Sequence, residues 1–251
     1  MNLSKLSILS FEIGNECNLT KQHPKCPINI REYKEDHSPL TTEIIVKSIE
    51  EAEKFGFKGH VAFHFYNEPL LYKDRIEEVI DAKPDSKYLL WSNGLLLNPK
   101  IEDNQILKKF EQVVITCYYS KKMDFFNRIK EYYGNVEIAT WELDDRINIY
   151  SNKPTNVLGC KRVQFELPID YYGNVHLCCR DWNNSYEIGN IVKDGFESVV
   201  MGSAYQNAVQ SVNRRLLDLN SCPGICKSCD DPWLRIESVG KTESYLENKN
   251  T

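Results

Sequence analysis

Residues 41–65 read TTEIIVKSIEEAEKFGFKGHVAFHF, a helix-like run followed by a strand-like one. Ile44, Ile45, Ile49 and Ala52 recur at helical spacing, charged side chains fill the opposite face, and Thr41 or Thr42 supplies a capping hydroxyl. The same unit recurs along the first half of the chain. Strand-like runs at 7–13, 60–65, 87–91, 112–119 and 135–142 alternate with helix-like runs at 42–55, 73–82, 102–110 and 122–133. That alternation is the pattern of β/α units around a parallel sheet. Five such strands are too few for an eight-stranded barrel. The expected fold class is therefore α/β, a partial, open (β/α) barrel or small open sheet with its active face at the strand C-terminal ends.

The 251 residues carry 31 basic and 36 acidic side chains, a formal charge of −5, which argues against broad attraction to nucleic-acid phosphates. No apolar run approaches the roughly 20 residues that cross a bilayer, so no membrane partner is expected. The start, MNLSKLSILSFEIGNEC, lacks the apolar centre and small-residue cleavage site of a secretory signal, and the expectation is a cytoplasmic, reducing environment. In that setting the nine cysteines call for an explanation other than disulfides. Cys117 stands alone in an apolar run and reads as a small core residue. The others cluster near the two ends, which points to metal ligation.

From about residue 155 the pattern changes to cysteines, turns and short strands, read as a metal-bearing module over 155–240 with a polar tail over 241–251. Twelve residues separate Cys160 from Gly173 and four separate Gly173 from Cys178, with 165–169 and 174–177 suited to the arms of a hairpin that brings the two thiols together. Gly173 fits a turn demanding positive φ. Cys226-Lys-Ser-Cys229 completes a four-thiolate set, and on spacing alone zinc and an iron–sulfur cluster fit it equally. Cys222 and Cys179 rank below these four. A further helix is expected from Phe196 to about Leu217.

The order of elements resembles the radical S-adenosylmethionine superfamily, in particular its short members with a twitch form of the SPASM auxiliary-cluster domain. The resemblance rests on Cys17-Asn-Leu after the first strand, Asn67-Glu68-Pro69-Leu70 after the second and Ser92-Asn93-Gly94 after the third. Its more specific half is Cys160 through Cys178, Tyr186-Glu-Ile-Gly-Asn190-Ile191 and Cys226-x2-Cys229. It implies a barrel over 1–154 in which Asn67, Glu68, Ser92 and Asn93 hold S-adenosylmethionine, Glu68 on the methionine amino group. It also implies a [4Fe–4S] auxiliary cluster on Cys160, Cys178, Cys226 and Cys229.

The superfamily's cluster loop is C-x3-C-x2-C, whereas this loop reads Cys17-Asn-Leu-Thr-Lys-Gln-His23-Pro-Lys-Cys26, or C-x5-H-x2-C. His23 stands where the middle thiolate belongs, and imidazole ligates iron in other clusters. Three readings follow: an atypical N-terminal [4Fe–4S] cluster on Cys17, His23 and Cys26, a loop without a cluster, or another metal centre. The first implies a 5′-deoxyadenosyl radical that abstracts hydrogen from a small molecule or peptide side chain and oxidises it, with flavodoxin or ferredoxin as electron donor. The alternatives are a non-catalytic electron-transfer or partner-binding protein and a zinc-stabilised binding module. Tyr66, Trp91, Tyr118, Tyr119 and Trp141 are candidate pocket walls, and His64, Glu142 and Arg146 candidate polar contacts, with packing at the barrel rim the competing role for each.

Overall fold

A computed structural model describes residues 3–32, 38–143, 145–147, 160, 162–213 and 223–229. Cys222, the 241–251 tail and the far end of the expected 196–217 helix lie outside them. Six strands, β1 (Ile8–Phe11), β2 (His60–Ala62), β3 (Tyr88–Ser92), β4 (Gln112–Cys117), β5 (Val136–Thr140) and β6 (Glu166–Ile169), form one parallel sheet in the order β5-β4-β3-β2-β1-β6. The two edges do not pair with each other, so the barrel is open, as the strand count implies. The five expected strands all form. The sixth comes from the expected hairpin arm 165–169, which pairs parallel to β1 from Ile8↔Glu166 to Phe11↔Ile169.

Helices α1 (Thr42–Lys54), α2 (Lys73–Ala82) and α3 (Met123–Tyr133) pack on one face of this sheet. Thr41 caps α1 by accepting from Ile44 N at 3.3 Å, and Ile45, Ile49 and Ala52 are fully buried. Alternation along each strand gives the sheet two unlike faces. Leu9, Phe11, Val61, Phe63, Leu90, Val113, Ile115 and Leu167 point into the main core under the helices. The other face holds only a small apolar cluster of Ile8, Ala62 and Leu89, with Val114 and Phe165 packed against it. Above that plug the same face continues as Ser10, His64, Trp91 and Thr116.

Two helical expectations are corrected. Residues 102–110 form two short 3-10 segments, Ile101–Asp103 and Gln105–Lys109, instead of an α-helix. The cause is the buried Asn104, whose amide donates to the carbonyls of Asn98, Lys100 and Ile101 at 3.0–3.3 Å and accepts from Asn98 N at 2.7 Å. A side chain that competes for backbone groups favours a turn over a helix. The helix expected from Phe196 is divided into α6 (Phe196–Met201) and α7 (Ser203–Asn213) by Gly202, which is extended at φ −64°, ψ 152°. Before them lie α4 (Arg162–Phe165) and α5 (Ile191–Asp194), and after them α8 (Gly224–Ser228).

The hairpin around Gly173 forms as expected. Ile169 bridges Val175 antiparallel, Gly173 N donates to Asp170 O at 2.9 Å, and Gly173 has φ +83°. Asn190 fastens this turn, donating to Tyr172 O and to Asn174 Oδ1, each at 2.9 Å, while its own oxygen caps α5. None of the described helices is long and apolar enough to cross a membrane.

The tightest backbone approach lies between β1 and β2, where a Cβ at Gly59 would stand 2.2 Å from the carbonyl oxygen of Ser7. That carbonyl also accepts from His60 N at 2.8 Å, so relief of the clash must pull the two strands apart. Gly59→Ala is expected to cost about 1–3 kcal/mol, as overpacking does. Urea denaturation of the variant checks this, and a midpoint equal to that of wild type would refute it.

Candidate active site

All six strands deliver their C-terminal ends to one rim, and the candidate site residues on the barrel lie at the end of a strand or in the segment after it. After β1 the chain turns through Cys17, His23 and Cys26 in successive hydrogen-bonded turns, with His23 N donating to Leu19 O at 2.8 Å and Cys26 N to His23 O at 3.0 Å. Both His23 and Cys26 are buried, and the His23 ring lies against Tyr118 with centroids 6.4 Å apart. Cys17 is half-buried, and its thiol is pushed up to about 11 by burial first and by the nearby negative groups Glu68 and Cys26, with Arg146 opposing them.

Glu68, Ser92 and Asn93 come together as expected. The Glu68 carboxylate accepts from Ser92 Oγ at 2.5 Å, Asn93 N at 3.0 Å and Leu70 N at 3.1 Å, while burial pushes its carboxyl above the ordinary value. Glu68 N in turn donates to Glu16 O at 2.9 Å, which joins this edge to the Cys17 loop. Asn67 behaves differently. Its amide is spent within its own turn, accepting from Phe65 N and donating to Phe63 O, each at 3.1 Å. The sequence reading missed Asn18, whose Oδ1 accepts from Asn93 Nδ2 at 2.6 Å and ties the first loop to the end of β3. Its place directly after Cys17 was the available signal.

The cysteines divide by what their sulfurs do. Cys17, Cys160 and Cys178 each accept a backbone N–H from two residues on, at 3.4 Å in all three cases. Such N–H donors stabilise a negative, metal-bound sulfur. Cys178 stands among Cys160, Cys179 and Cys226, and burial above all, with those neighbouring thiols, pushes its own thiol well up. Cys226 on α8 and Cys229 just after it are buried. Cys117 instead donates to Tyr119 O at 3.2 Å and is a core residue, and Cys179 accepts from Arg162 Nη1 at 3.0 Å. Among the described residues no three His, Cys, Asp or Glu side chains converge tightly enough to share one metal ion.

The chain is similar to proteins already known. Residues 160–230 match the SPASM family model, an iron-sulfur cluster-binding domain. The S-adenosyl-L-methionine-dependent 2-deoxy-scyllo-inosamine dehydrogenase of Niallia circulans is 22% identical over 247 residues, covering 92% of this chain and 95% of the relative. The crystal structure of BtrN in complex with AdoMet and 2-DOIA superposes with a TM-score of 0.71 at 20% identity, covering 92% of this chain and 96% of that one. An open conformation of BtrN gives 0.64 at 17% identity, over 93% and 96% of the two chains. Over the whole chain these comparisons show a shared fold, and the family model covers residues 160–230. The C-terminal part of this chain is of the SPASM type.

One buried ionic cluster fastens the first loop to the SPASM-type part. Arg31 donates through Nη1 to both oxygens of Glu12 at 3.0 Å and through Nη2 to Asp170 Oδ2 at 3.0 Å. Tyr66 N and Tyr171 N also donate to Glu12, and Asn174 and the His176 ring engage Asp170. Burial pushes the Glu12 carboxyl up, with Arg31 the chief opposing influence. Asp170 is held down at about 2, because the His176 ring and Arg31 outweigh its burial. Truncating Arg31 strands two carboxylates in a dry site, and Arg31→Ala is expected to cost about 3–5 kcal/mol, the range for breaking one partner of a buried pair. Denaturant titration measures this, and a loss below about 1 kcal/mol would show the cluster to be marginal.

Proposed function

We propose that this protein is a radical S-adenosylmethionine dehydrogenase that oxidises a hydroxyl-bearing small molecule on the concave face of its open barrel. The observation that carries the reading is the convergence, on one rim, of the Cys17–His23–Cys26 loop with the Glu68, Ser92 and Asn93 edge, above a face that changes from apolar to polar. The name of the dehydrogenase from Niallia circulans supports a cyclic alcohol as the kind of molecule oxidised.

The donor set suits iron–sulfur clusters better than zinc. Residues 160–230 match an iron-sulfur cluster-binding domain, and Cys178 stands among Cys160, Cys179 and Cys226. A cluster spreads its ligands over the corners of a cage. The pushed-up thiols of Cys17 and Cys178 are those that a bound metal deprotonates, so metal binding and folding are coupled here. In this reading Cys17, His23 and Cys26 hold the first [4Fe–4S] cluster, and Cys160, Cys178, Cys226 and Cys229 hold the auxiliary one.

A reduced open cluster together with S-adenosylmethionine supplies a carbon radical able to take a hydrogen atom from substrate. The chain's own residues do the positioning. Glu68 presents a carboxylate already oriented by three donors and accepts from the cofactor's amino group. Asn93 and Asn18, bonded to each other, set the distance between that edge and the cluster loop. Asn67 stiffens the turn that carries Glu68. Arg146, anchored by Nη2 donating to Tyr118 Oη at 2.8 Å, lies near enough to Cys17 to favour its thiolate. Auxiliary ligation by four thiolates leaves no open iron, which suits the site to accepting an electron. The electron donor to the first cluster is a flavodoxin or ferredoxin in a reducing cytoplasm.

Glu68→Gln keeps the fold's hydrogen bonds in part and removes the charge that meets the cofactor ammonium. It is expected to weaken S-adenosylmethionine binding by about 1.5–3 kcal/mol, the worth of a charge-assisted hydrogen bond. Calorimetry on anaerobically reconstituted protein tests this, and equal affinity for both proteins would count against the assignment.

His23 is tested by iron. Replacing His23 with Ala in a Cys178→Ala, Cys229→Ala background is expected to lose or alter the remaining cluster, while His23→Cys retains one with a shifted spectrum at lower potential. Identical iron content and paramagnetic spectra in the His23→Ala protein and its parent would remove His23 from the ligand set.

A further inference from the structure

We propose that Tyr66 is a positioning residue that couples the two cluster sites. Its hydroxyl ties the turn that carries Glu68 to the segment that carries Cys178, so that loading of the auxiliary site tightens S-adenosylmethionine binding at the first site, and the reverse. This rests on the radical S-adenosylmethionine reading above and adds an interaction between its two centres. Tyr66 is buried and stands two residues before Glu68. Its backbone N–H donates to Glu12 Oε1 at 3.1 Å, and its hydroxyl donates to the backbone carbonyl of Cys179, the chain neighbour of Cys178. One residue thus reaches from the cofactor edge to the auxiliary ligands.

The neighbours of that hydroxyl come from both sites. Burial first, then Cys179 and Cys26, push it well above its ordinary value, while Arg180 and Arg31 oppose them. Cys26 belongs to the first loop and Cys179 to the auxiliary segment, so the hydroxyl lies within electrostatic reach of both. It stays protonated at any working pH and remains a donor in need of an acceptor. The preceding residue repeats the connection: the Phe65 ring stands 4.5 Å from that of Tyr66 and 4.8 Å from that of His176, two residues before Cys178. The Asn67 amide closes the turn between Phe63 and Glu68, so a shift at Tyr66 is passed on to Glu68.

Coupling needs an element with two arrangements that both sites bias. The segment 178–186 has this character. Several of its bonds close on itself: Arg180 N donates to Cys178 Sγ at 3.4 Å, Asp181 N to Cys178 O at 3.0 Å, and Ser185 N and Oγ to Asp181 Oδ1 at 2.8 and 2.6 Å. The Nε1 atom of Trp182 and the Oδ1 atom of Asn184 are buried and have no hydrogen-bond partner among the described residues. Buried polar atoms left unsatisfied make the ordered form costly, so the segment depends on its tethers to the rest of the chain. Two tethers lie at its start, metal ligation by Cys178 and the Tyr66 hydroxyl. With Cys178 ligated, the Cys179 carbonyl is held where the hydroxyl can use it. With Cys178 released, a buried hydroxyl loses its fixed acceptor and the turn that carries Glu68 loses a brace.

The Arg31 cluster joins the same parts of the chain, but its charges are buried on both sides and hold one placement. Tyr66 adds a single neutral bond beside that cluster, which breaks without stranding a charge. Because linkage is reciprocal, the factor by which auxiliary loading tightens the cofactor is also the factor by which the cofactor stabilises the ordered form of 178–186. The coupling sets an order of assembly. A protein whose auxiliary site is empty binds the cofactor poorly and is kept from starting a radical it has no means of finishing.

The test measures S-adenosylmethionine affinity by calorimetry on four anaerobically reconstituted proteins: wild type, Tyr66→Phe, and each of these carrying Cys178→Ala and Cys229→Ala, with iron content checked in all. Loss of the auxiliary cluster is expected to weaken binding about 5-fold or more in the wild-type background, the lower end of ordinary coupling between sites, and less than about 2-fold in the Tyr66→Phe background. A second measurement needs no cysteine variant and decides the matter where those variants do not fold. In fully loaded protein, amide hydrogen exchange of 178–186 is expected to slow when S-adenosylmethionine is added to wild type and to stay unchanged when it is added to Tyr66→Phe, with α1 exchanging equally in both. A hydroxyl that merely held the segment in place would raise protection with and without cofactor alike. Equal weakening in the two backgrounds, none included, or the same cofactor-dependent protection in Tyr66→Phe as in wild type, overturns this proposal alone. Fully loaded wild type that binds no S-adenosylmethionine overturns the reading beneath it and the proposal as well.

Discussion

The Arg31 guanidinium, buried between Glu12 and Asp170, is the contact on which the arrangement of the rim depends. It joins three parts of the chain that sequence keeps far apart: the loop after the cysteine–histidine run, the end of β1 and the hairpin that leads to Cys178. The Phe65 ring lies 4.8 Å from its carbon centre and helps keep water out. Inside such a site the attraction between charges is strong and so is the cost of losing one of them. The cluster is thus poor as a source of raw stability and effective as a lock, because only one relative placement of the three segments satisfies every charge.

The architecture follows from the same constraint read outward. Once β1 and β6 are adjacent, the Cys17 loop and the Gly173 hairpin leave neighbouring strands on the same rim. The sheet's two faces differ: the helix-covered face supplies cohesion through large aliphatic and aromatic side chains, and among the described residues the opposite face holds a small apolar cluster. A small plug of Ile8, Ala62 and Leu89 closes the bottom of that face and leaves the layer above for polar and aromatic groups.

Much of this was legible in the residues. Hydrophobic periodicity located the five barrel strands and three of the four helices between them, because those signals are local and repeat. Gly173 was legible because a turn demanding positive φ is chemically restrictive. Asn104 defeated the helix reading of 102–110 through side-chain bonds that composition does not reveal, and Gly202 divided the later helix where a single glycine left the boundary open. Asn67 matched a motif by position yet spends its amide on its own turn. The reach of Arg31 to Asp170 and the pairing of β6 with β1 were invisible, since each joins residues far apart in the chain and neither leaves a periodic trace.

The position of β6 also bears on how the chain is made. Synthesis delivers β1 through β5 first, and each of these strands can pair with its predecessor as it emerges. Throughout that interval β1, with the apolar sequence Ile-Leu-Ser-Phe, presents one edge without a partner, and such an edge is an aggregation hazard. Only the arrival of residues 166–169 covers it, and the same stretch brings Asp170 to the waiting guanidinium. A nascent chain halted before that point holds nearly the whole sheet and has one edge of β1 uncovered, so the short β6 serves the newborn protein as a cap as much as it serves the finished one as a wall.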